Sequence, residues 1–88
     1  MAFADLQTDW SLLSQLLRLA QSDGWTIAFG NDRVVVSNRR TERGVVALPA
    51  SLIAHARGAG WRVVRRPMRF ELHHPAVRQW VEVSLAAD

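Results

Sequence analysis

Seven arginines near the middle of the chain are the residues whose type and spacing most directly indicate chemistry. A guanidinium keeps its charge, and its planar set of donors matches a phosphate or a carboxylate with two parallel hydrogen bonds. Clustered arginines are therefore typical of a surface that binds a polyanion. The sequence predicts two such contact sets: Arg39, Arg40 and Arg43, and Arg62, Arg65, Arg66 and Arg69.

The net charge is distributed unevenly along the 88 residues. Residues 33–69 hold nine arginines and one glutamate, a net charge of +8, whereas residues 1–32 carry −3 and residues 70–88 carry −2. All eleven basic residues are arginine, a usage that a GC-rich genome also favours. The concentration of positive charge, rather than the choice of arginine, predicts a partner with dense negative charge.

These patterns predict a small arginine-rich nucleic-acid-binding protein with an accessory or regulatory role, and DNA is favoured over RNA. A two-stranded β-ribbon fits the major groove of DNA, where arginine is the usual reader of guanine. One alternative is a protein-interaction module, such as an inhibitor or antitoxin-like partner of an acidic protein. A divergent ribonuclease and a solvated surface without a specific partner are the other open interpretations.

Two adjacent histidines, His73 and His74, are the other residues that could take part in chemistry. Neighbours on a strand point to opposite faces, so they are not expected to bind one metal ion. If His73 shares a face with Arg69 and Glu71, the three would supply a base, a phosphate holder and an acid for RNA cleavage. The sequence has no glycine-rich phosphate loop and no Ser/His/Asp order. We therefore predict a protein that is not an enzyme and uses no metal or cofactor.

The elements that must position these residues occur twice. A shift of 36 residues superimposes Gly24 on Gly60 and Trp25 on Trp61, together with several apolar positions. We predict one domain over residues 1–88, built from two αβββ repeats at about residues 8–48 and 49–85, each too small to bury its own apolar face. Equivalent positions predict that Trp25 and Trp61 lie in the core, whereas Trp80 is the better candidate for base stacking or a dimer contact.

The predicted fold class is α+β with the order αβββαβββ. Apolar residues at helical spacing, a possible N-cap at Asp5 or Thr8 and a helix stop at Gly24 predict the first helix. Pro49 is predicted to open the second helix. Alternation predicts antiparallel strands in one six-stranded sheet or two three-stranded sheets, with both helices packed on one face. The predicted helices cover residues 8–22 and 50–57, and the predicted strands cover residues 25–29, 33–37, 45–48, 61–66, 69–74 and 79–85.

Strand alternation also assigns side chains to faces. Four apolar residues point toward the helices, and the alternating arginines, Glu71 and His73 point away from them. The predicted inward set is Val34, Val36, Phe70 and Leu72.

Length and composition limit the class of protein. No apolar run approaches the roughly 18 residues that a membrane span requires, and the N-terminus lacks the basic region of a signal peptide. The sequence contains no cysteine, so disulfides and thiolate metal sites are excluded. We expect a cytoplasmic protein without membrane contact, and because so short a chain buries a limited core, a homodimer is a reasonable expectation.

One stretch resembles a known family. From Leu52 to Pro75, a short helix, Gly60-Trp61, Arg65, a turn, a strand and His-Pro are similar to the HicA-type mRNA interferase toxins, and the first repeat matches more faintly. The resemblance implies a double-stranded-RNA-binding-like unit whose sheet faces a polyanion. The catalytic histidine motif of that family is absent, because the aligned residues are Phe70 and Val34. The resemblance therefore supports the fold unit and counts against toxin activity.

Overall fold

The computed structural model describes residues 9–45 and 49–85. In this part of the chain two helices and seven strands alternate in the order α1, β1–β4, α2, β5–β7. The helices are α1 (Trp10–Ser22) and α2 (Pro49–Gly58), and the strands are β1 (Thr26–Phe29), β2 (Arg33–Ser37), β3 (Arg40–Thr41), β4 (Gly44–Val45), β5 (Arg62–Arg66), β6 (Arg69–His74) and β7 (Val77–Ser84).

Helix α1 begins at Trp10, directly after its N-cap. Asp9 is the N-cap, and its carboxylate accepts hydrogen bonds from the backbone N–H groups of Ser11 and Leu12 at 3.1 and 3.3 Å. Such caps satisfy donors that the first helical turn leaves free. The predicted caps Asp5 and Thr8 lie outside the described residues. The predicted end of α1 at residue 22 is confirmed, and α2 includes Pro49 at its first position.

The main sheet has five strands in the order β1-β2-β7-β6-β5, and it is mixed. The prediction of an entirely antiparallel sheet is wrong, because β2 and β7 are parallel. Strand β7 lies between two strands that run in opposite directions, so it can be antiparallel to only one of them, β6. Last in sequence order, β7 joins the two hairpins β1–β2 and β5–β6.

Of the predicted third strand, at residues 45–48, the structure describes only Val45, which lies in β4. There the chain forms a short separate hairpin, in which β3 pairs with β4, and residues 46–48 lie outside the described residues. Gly44 has φ of 117°, a conformation that glycine adopts without steric cost. Among the described residues, β3 and β4 are therefore not part of the main sheet. The predictions of one six-stranded sheet and of two three-stranded sheets are both wrong, because the main sheet has five strands.

The two hairpins of the main sheet share one register. Thr26 pairs with Ser37 in the first, and Arg62 pairs with His73 at the positions 36 residues later. Both hairpins then meet the same residue of β7, since Val35 in β2 and Glu71 in β6 lie opposite Glu82. Glu82 therefore marks the midpoint of the sheet, with one hairpin on each side.

The helix-to-strand junctions before these hairpins also have the same geometry. The backbone N–H groups of Trp25 and Trp61 each donate to the carbonyl of the alanine five residues earlier, at 2.9 Å in both cases. The glycines that precede them have φ of 95° at Gly24 and 92° at Gly60. A Cβ at Gly60 would also come within 3.3 Å of the His74 ring, so the second junction is tightly packed as well.

Buried residues of both helices and of the main sheet form one hydrophobic cluster. Trp25 and Trp61 are 4% and 3% exposed, which confirms their predicted core positions. The predicted inward residues of β2 and β6 are buried too, except that Phe70 is half-buried. The other side of the sheet, which we call the open face, carries most of the charged side chains of the strands.

Candidate nucleic-acid interface

The open face contains three rows of side chains that cross the sheet. One end row is aromatic and basic, the central row contains the two glutamates, and the other end row contains serines and arginines. The strand register and ring contacts give these rows as Arg33–Trp80–His73–Arg62, Val35–Glu82–Glu71–Val64 and Ser37–Ser84–Arg69–Arg66.

Two glutamates face each other at the centre of the open face. Glu71 and Glu82 are direct cross-strand partners, a placement that repulsion between like charges would destabilise. Arg33 offsets the charge of Glu82 by donating to it from Nη1 at 2.9 Å. Arg66 donates to Glu71 at 3.2 Å and Arg69 lies 3.7 Å from the same oxygen. Part of the predicted arginine surface is therefore neutralised by acids on its own sheet.

Glu71 also contacts His73, whose Nε2 lies 3.1 Å from the Glu71 carboxylate. The structure thus places the three residues singled out for RNA cleavage, Arg69, Glu71 and His73, on one face and in contact through Glu71. The geometric condition for that trio is met, whereas cleavage itself stays a prediction. His74, by contrast, points its ring toward Trp61.

Acidification is expected to weaken the fold through Glu71. The hydrogen bond with His73, supported by Arg66, holds the pKa of this carboxyl below its ordinary value of 4.5, against the partial burial that would raise it. A lowered pKa in the folded state stabilises the fold fully above the ordinary value, and this stabilisation is lost as the pH falls through the folded-state pKa.

The measurement is the urea midpoint of unfolding as a function of pH for the natural chain and for Glu71→Gln. We expect the midpoint of the natural chain to fall more steeply than that of the variant as the pH drops below the ordinary carboxyl pKa of 4.5. Equal pH dependence in the two proteins would contradict the assignment.

Trp80 lies between two cationic or titratable side chains. The Arg33 guanidinium lies 5.0 Å from the centre of the Trp80 ring, and the His73 ring is stacked on it at 5.5 Å with an interplanar angle of 19°. Because β2 and β6 flank β7 on opposite sides, these two neighbours cover opposite faces of the indole. A base could stack on a face of Trp80 only by displacing one of them, so base stacking by Trp80, which stays a prediction, would cost one of these contacts.

Four predicted contact residues lie around the β5–β6 turn, but they do not share a face. Arg62, Arg66 and Arg69 belong to the open face, whereas Arg65 pairs with Phe70 on the core side of the sheet. Arg65 there lines a shallow groove of about 480 Å³ together with Met68 and Leu85. Neither Arg62 nor Arg65 forms an ion pair with any residue that the structure describes.

The structure brings Arg39 and the β5–β6 turn to the same end of the sheet. The backbone N–H of Asn38, just after β2, donates to the carbonyl of Ser84 at 3.3 Å, and the N–H of Leu85 donates to the carbonyl of Met68 at 3.0 Å. Since strands lie about 4.8 Å apart, the loop after β2 and the β5–β6 turn are separated by the width of β7 and β6 only. We call this region the basic end, and it comprises Arg39, Arg65, Arg66 and Arg69.

The remaining predicted contact residues lie elsewhere or are only partly described. Arg62 lies at the opposite end of the open face, beside His73. For Arg40 the structure describes the backbone position in β3. Arg33 was not among the predicted contacts although it bonds Glu82 and covers Trp80. The signal that could have identified it is its match to Arg69, the one charged identity of the repeat.

Comparison with known proteins adds no family to this picture. A scan against protein-family models, a search of curated proteins and a search of solved structures each found no match to this chain. The resemblance to HicA-type toxins therefore stays a prediction. Neither of the described helices has the length and apolar character needed to cross a bilayer.

Proposed function

We propose that this protein binds the phosphate backbone of a nucleic acid, DNA in preference to RNA, through the basic end. The observation that carries this proposal is that Arg39 and the arginines beside the β5–β6 turn, more than twenty residues apart in sequence, lie at one end of the sheet. Arg39 and Arg65 are both exposed there, and neither forms an ion pair with a described residue. Unpaired guanidiniums can engage phosphates without first breaking an internal bond.

The preference for DNA is supported by the shape of the β5–β6 hairpin. This hairpin forms one edge of the main sheet. Its turn is exposed, and the Met68 side chain in it is 57% accessible to solvent. A two-stranded ribbon of this kind can enter the major groove, which is about 12 Å wide. In that pose Arg66 and Arg69 flank the turn, with Arg65 next to Arg66 on β5, and these side chains approach the two phosphate backbones or the edges of guanines.

We infer further that the αββ unit was duplicated and that both helices cover the face opposite the open one. The shared hairpin registers, the matching Gly-Trp junctions and the single core cluster support this inference. A duplicated scaffold would leave the basic hairpin as a feature of the second copy and the arginine loop as a feature of the first.

The proposal predicts a loss of binding that depends on salt and on position. Arg39→Gln and Arg65→Gln should each weaken binding to duplex DNA, and each should reduce the slope of log affinity against log salt by about 0.9. Fluorescence anisotropy with a labelled DNA duplex, the matching RNA duplex and the single strands measures both effects over a salt series.

Arg18→Gln is the matched control, because it removes the same charge from an exposed position on α1 beside Phe29. It should leave affinity and slope nearly unchanged. Binding weaker than micromolar to every nucleic acid at low salt, or an equal loss for Arg18→Gln, would overturn the proposal.

A protein-interaction module is the second candidate, and the groove beside Arg65 favours it. Met68, Phe70 and Leu85 give this groove an apolar floor, and Arg65 and Arg66 provide its positive charge. An acidic, apolar segment of a partner protein would suit such a lining. A partner that co-purifies with the natural chain and is lost on Met68→Ser, without any nucleic acid bound, would support this candidate over the first.

A further inference from the structure

The two edges of the main sheet have equivalent backbones but different residues. Strands β1 and β5 are the outer strands, and the 36-residue shift that aligns their hairpins places β1 on β5. Strand β1 consists of Thr26, Ile27, Ala28 and Phe29 and carries no charge. Strand β5 has three arginines among its five residues.

Charges on an edge strand are a common protection against pairing with another chain. Two β5 strands side by side would place several arginines close together, so this edge is protected by repulsion. Strand β1 has no such protection, and Phe29 at its end is 71% exposed. An edge strand without charges leaves its unpaired N–H and C=O groups open to pairing with another strand.

We propose that two copies of this chain pair antiparallel through β1, which joins their sheets into one. The partner we propose is a second copy of this chain. In an antiparallel pair of β1 strands, each copy presents the same four uncharged residues to the other, so no like charges oppose the contact. This inference does not depend on nucleic-acid binding, and it concerns the opposite edge from the basic β5–β6 hairpin.

The hydrogen bonds of β1 determine the register of this pair. Gly30 donates to the carbonyl of Arg33 at 2.8 Å, so the backbone groups of Ala28 and Thr26 also face β2 by alternation. The groups of Ile27 and Phe29 therefore face outward. A two-fold pair that uses them matches Ile27 of one copy with Phe29 of the other, and Ala28 meets Ala28 of the second copy on the axis.

The side chains fit this register. Ile27 and Phe29 are on the core side of β1, where they line a groove of about 350 Å³ with Leu17, Arg18 and Gln21 of α1. The ring of Phe29 from the second copy would lie against Ile27 and Leu17, which removes apolar surface from water. Ala28 occupies the closely spaced position of the pair, about 4.5 Å between Cα atoms, where a small side chain is needed.

A single engineered cysteine tests both the interface and its register. The natural chain has no cysteine, so Ala28→Cys introduces the only thiol. The expected Cα separation lies within the range of about 4.4–6.8 Å that disulfides span. Added copper–phenanthroline would take two electrons from the two thiols, release two protons and leave a covalent dimer, visible on non-reducing gels as nearly complete conversion.

Two matched variants test the alternatives. Val64→Cys is the equivalent position on the protected edge, 36 residues later, and it should stay monomeric under the same oxidation. Thr26→Cys should also stay monomeric, because its counterpart on the second copy would lie roughly 14 Å away along the strand. Equal cross-linking of Val64→Cys and Ala28→Cys would show random collision and overturn the proposal.

A charge substitution provides the solution test. Phe29→Arg copies Arg65, its equivalent on β5, and changes a side chain that is mostly exposed. Sedimentation should show the natural chain as a dimer and Phe29→Arg as a folded monomer, with unchanged far-ultraviolet circular dichroism. A natural chain that remains monomeric at high micromolar concentration would overturn the proposal.

Discussion

Trp61→Ala is expected to lower the free energy of unfolding by about 3–5 kcal/mol, the range for removing a buried large aromatic side chain. Trp61 is 3% exposed, and its backbone connects the end of α2 to the start of β5. Its ring also contacts His74 edge-on at 5.4 Å. Because a domain of this size has a total stability of about 5–15 kcal/mol, the variant should lose a large part of its stability.

Trp61→Phe is the informative companion variant. The indole N–H of Trp61 is buried and has no hydrogen-bond partner among the described groups, so its removal relieves a desolvation cost of about 1–3 kcal/mol. That gain should offset much of the lost volume. Urea unfolding followed by circular dichroism gives both values, and Trp80→Ala, at a half-buried position, should cost less than Trp61→Ala. A Trp61→Phe variant as unstable as Trp61→Ala would contradict this account.

Arg33→Gln is expected to destabilise the fold by about 1–3 kcal/mol, the cost of leaving a charged group without its partner. Glu82 would then lie opposite Glu71 without the guanidinium that offsets its charge, and the two side chains are only 16% and 14% exposed. The same change uncovers one face of Trp80.

Glu82→Gln in the Arg33→Gln background distinguishes charge repulsion from lost packing. If repulsion between the glutamates causes the loss, the double variant should be more stable than Arg33→Gln alone. Arg39→Gln, an exposed arginine at the basic end, serves as the control and should stay within about 0.5 kcal/mol of the natural chain. A double variant no more stable than Arg33→Gln would show that the guanidinium acts through its contact with Trp80.

The elements of the αββ units could be predicted because their signals are local. Gly24 and Gly60 follow the helices at positions where the backbone has positive φ. Each is followed by a buried tryptophan, which directly precedes the next strand. Strand β6 has the predicted bounds, since a Pro-containing turn limits it at each end. Alternation also assigned the open and buried faces of β2 and β6.

The pairing of β7 could not be predicted, because it joins residues that are far apart in sequence. The repeat suggested that residues 45–48 and 79–85 would be equivalent third strands, each beside its own hairpin. The chain instead uses one long strand for both hairpins, and the Arg33–Glu82 bond connects positions 49 residues apart. The proximity of Arg39 to the β5–β6 turn follows from the same pairing, so sequence spacing alone could not reveal it.

The central position of β7 also has a consequence for how the protein forms during translation. The strand in the middle of the sheet is the last of its strands to leave the ribosome, so both hairpins emerge with their inner edges, β2 and β6, still unpaired. Loop closure over this distance is slow compared with hairpin formation, and exposed inner edges are the surfaces on which nascent chains aggregate. The sheet should therefore close in one late step, and release of residues 77–84 should control when the nascent chain becomes resistant to proteases.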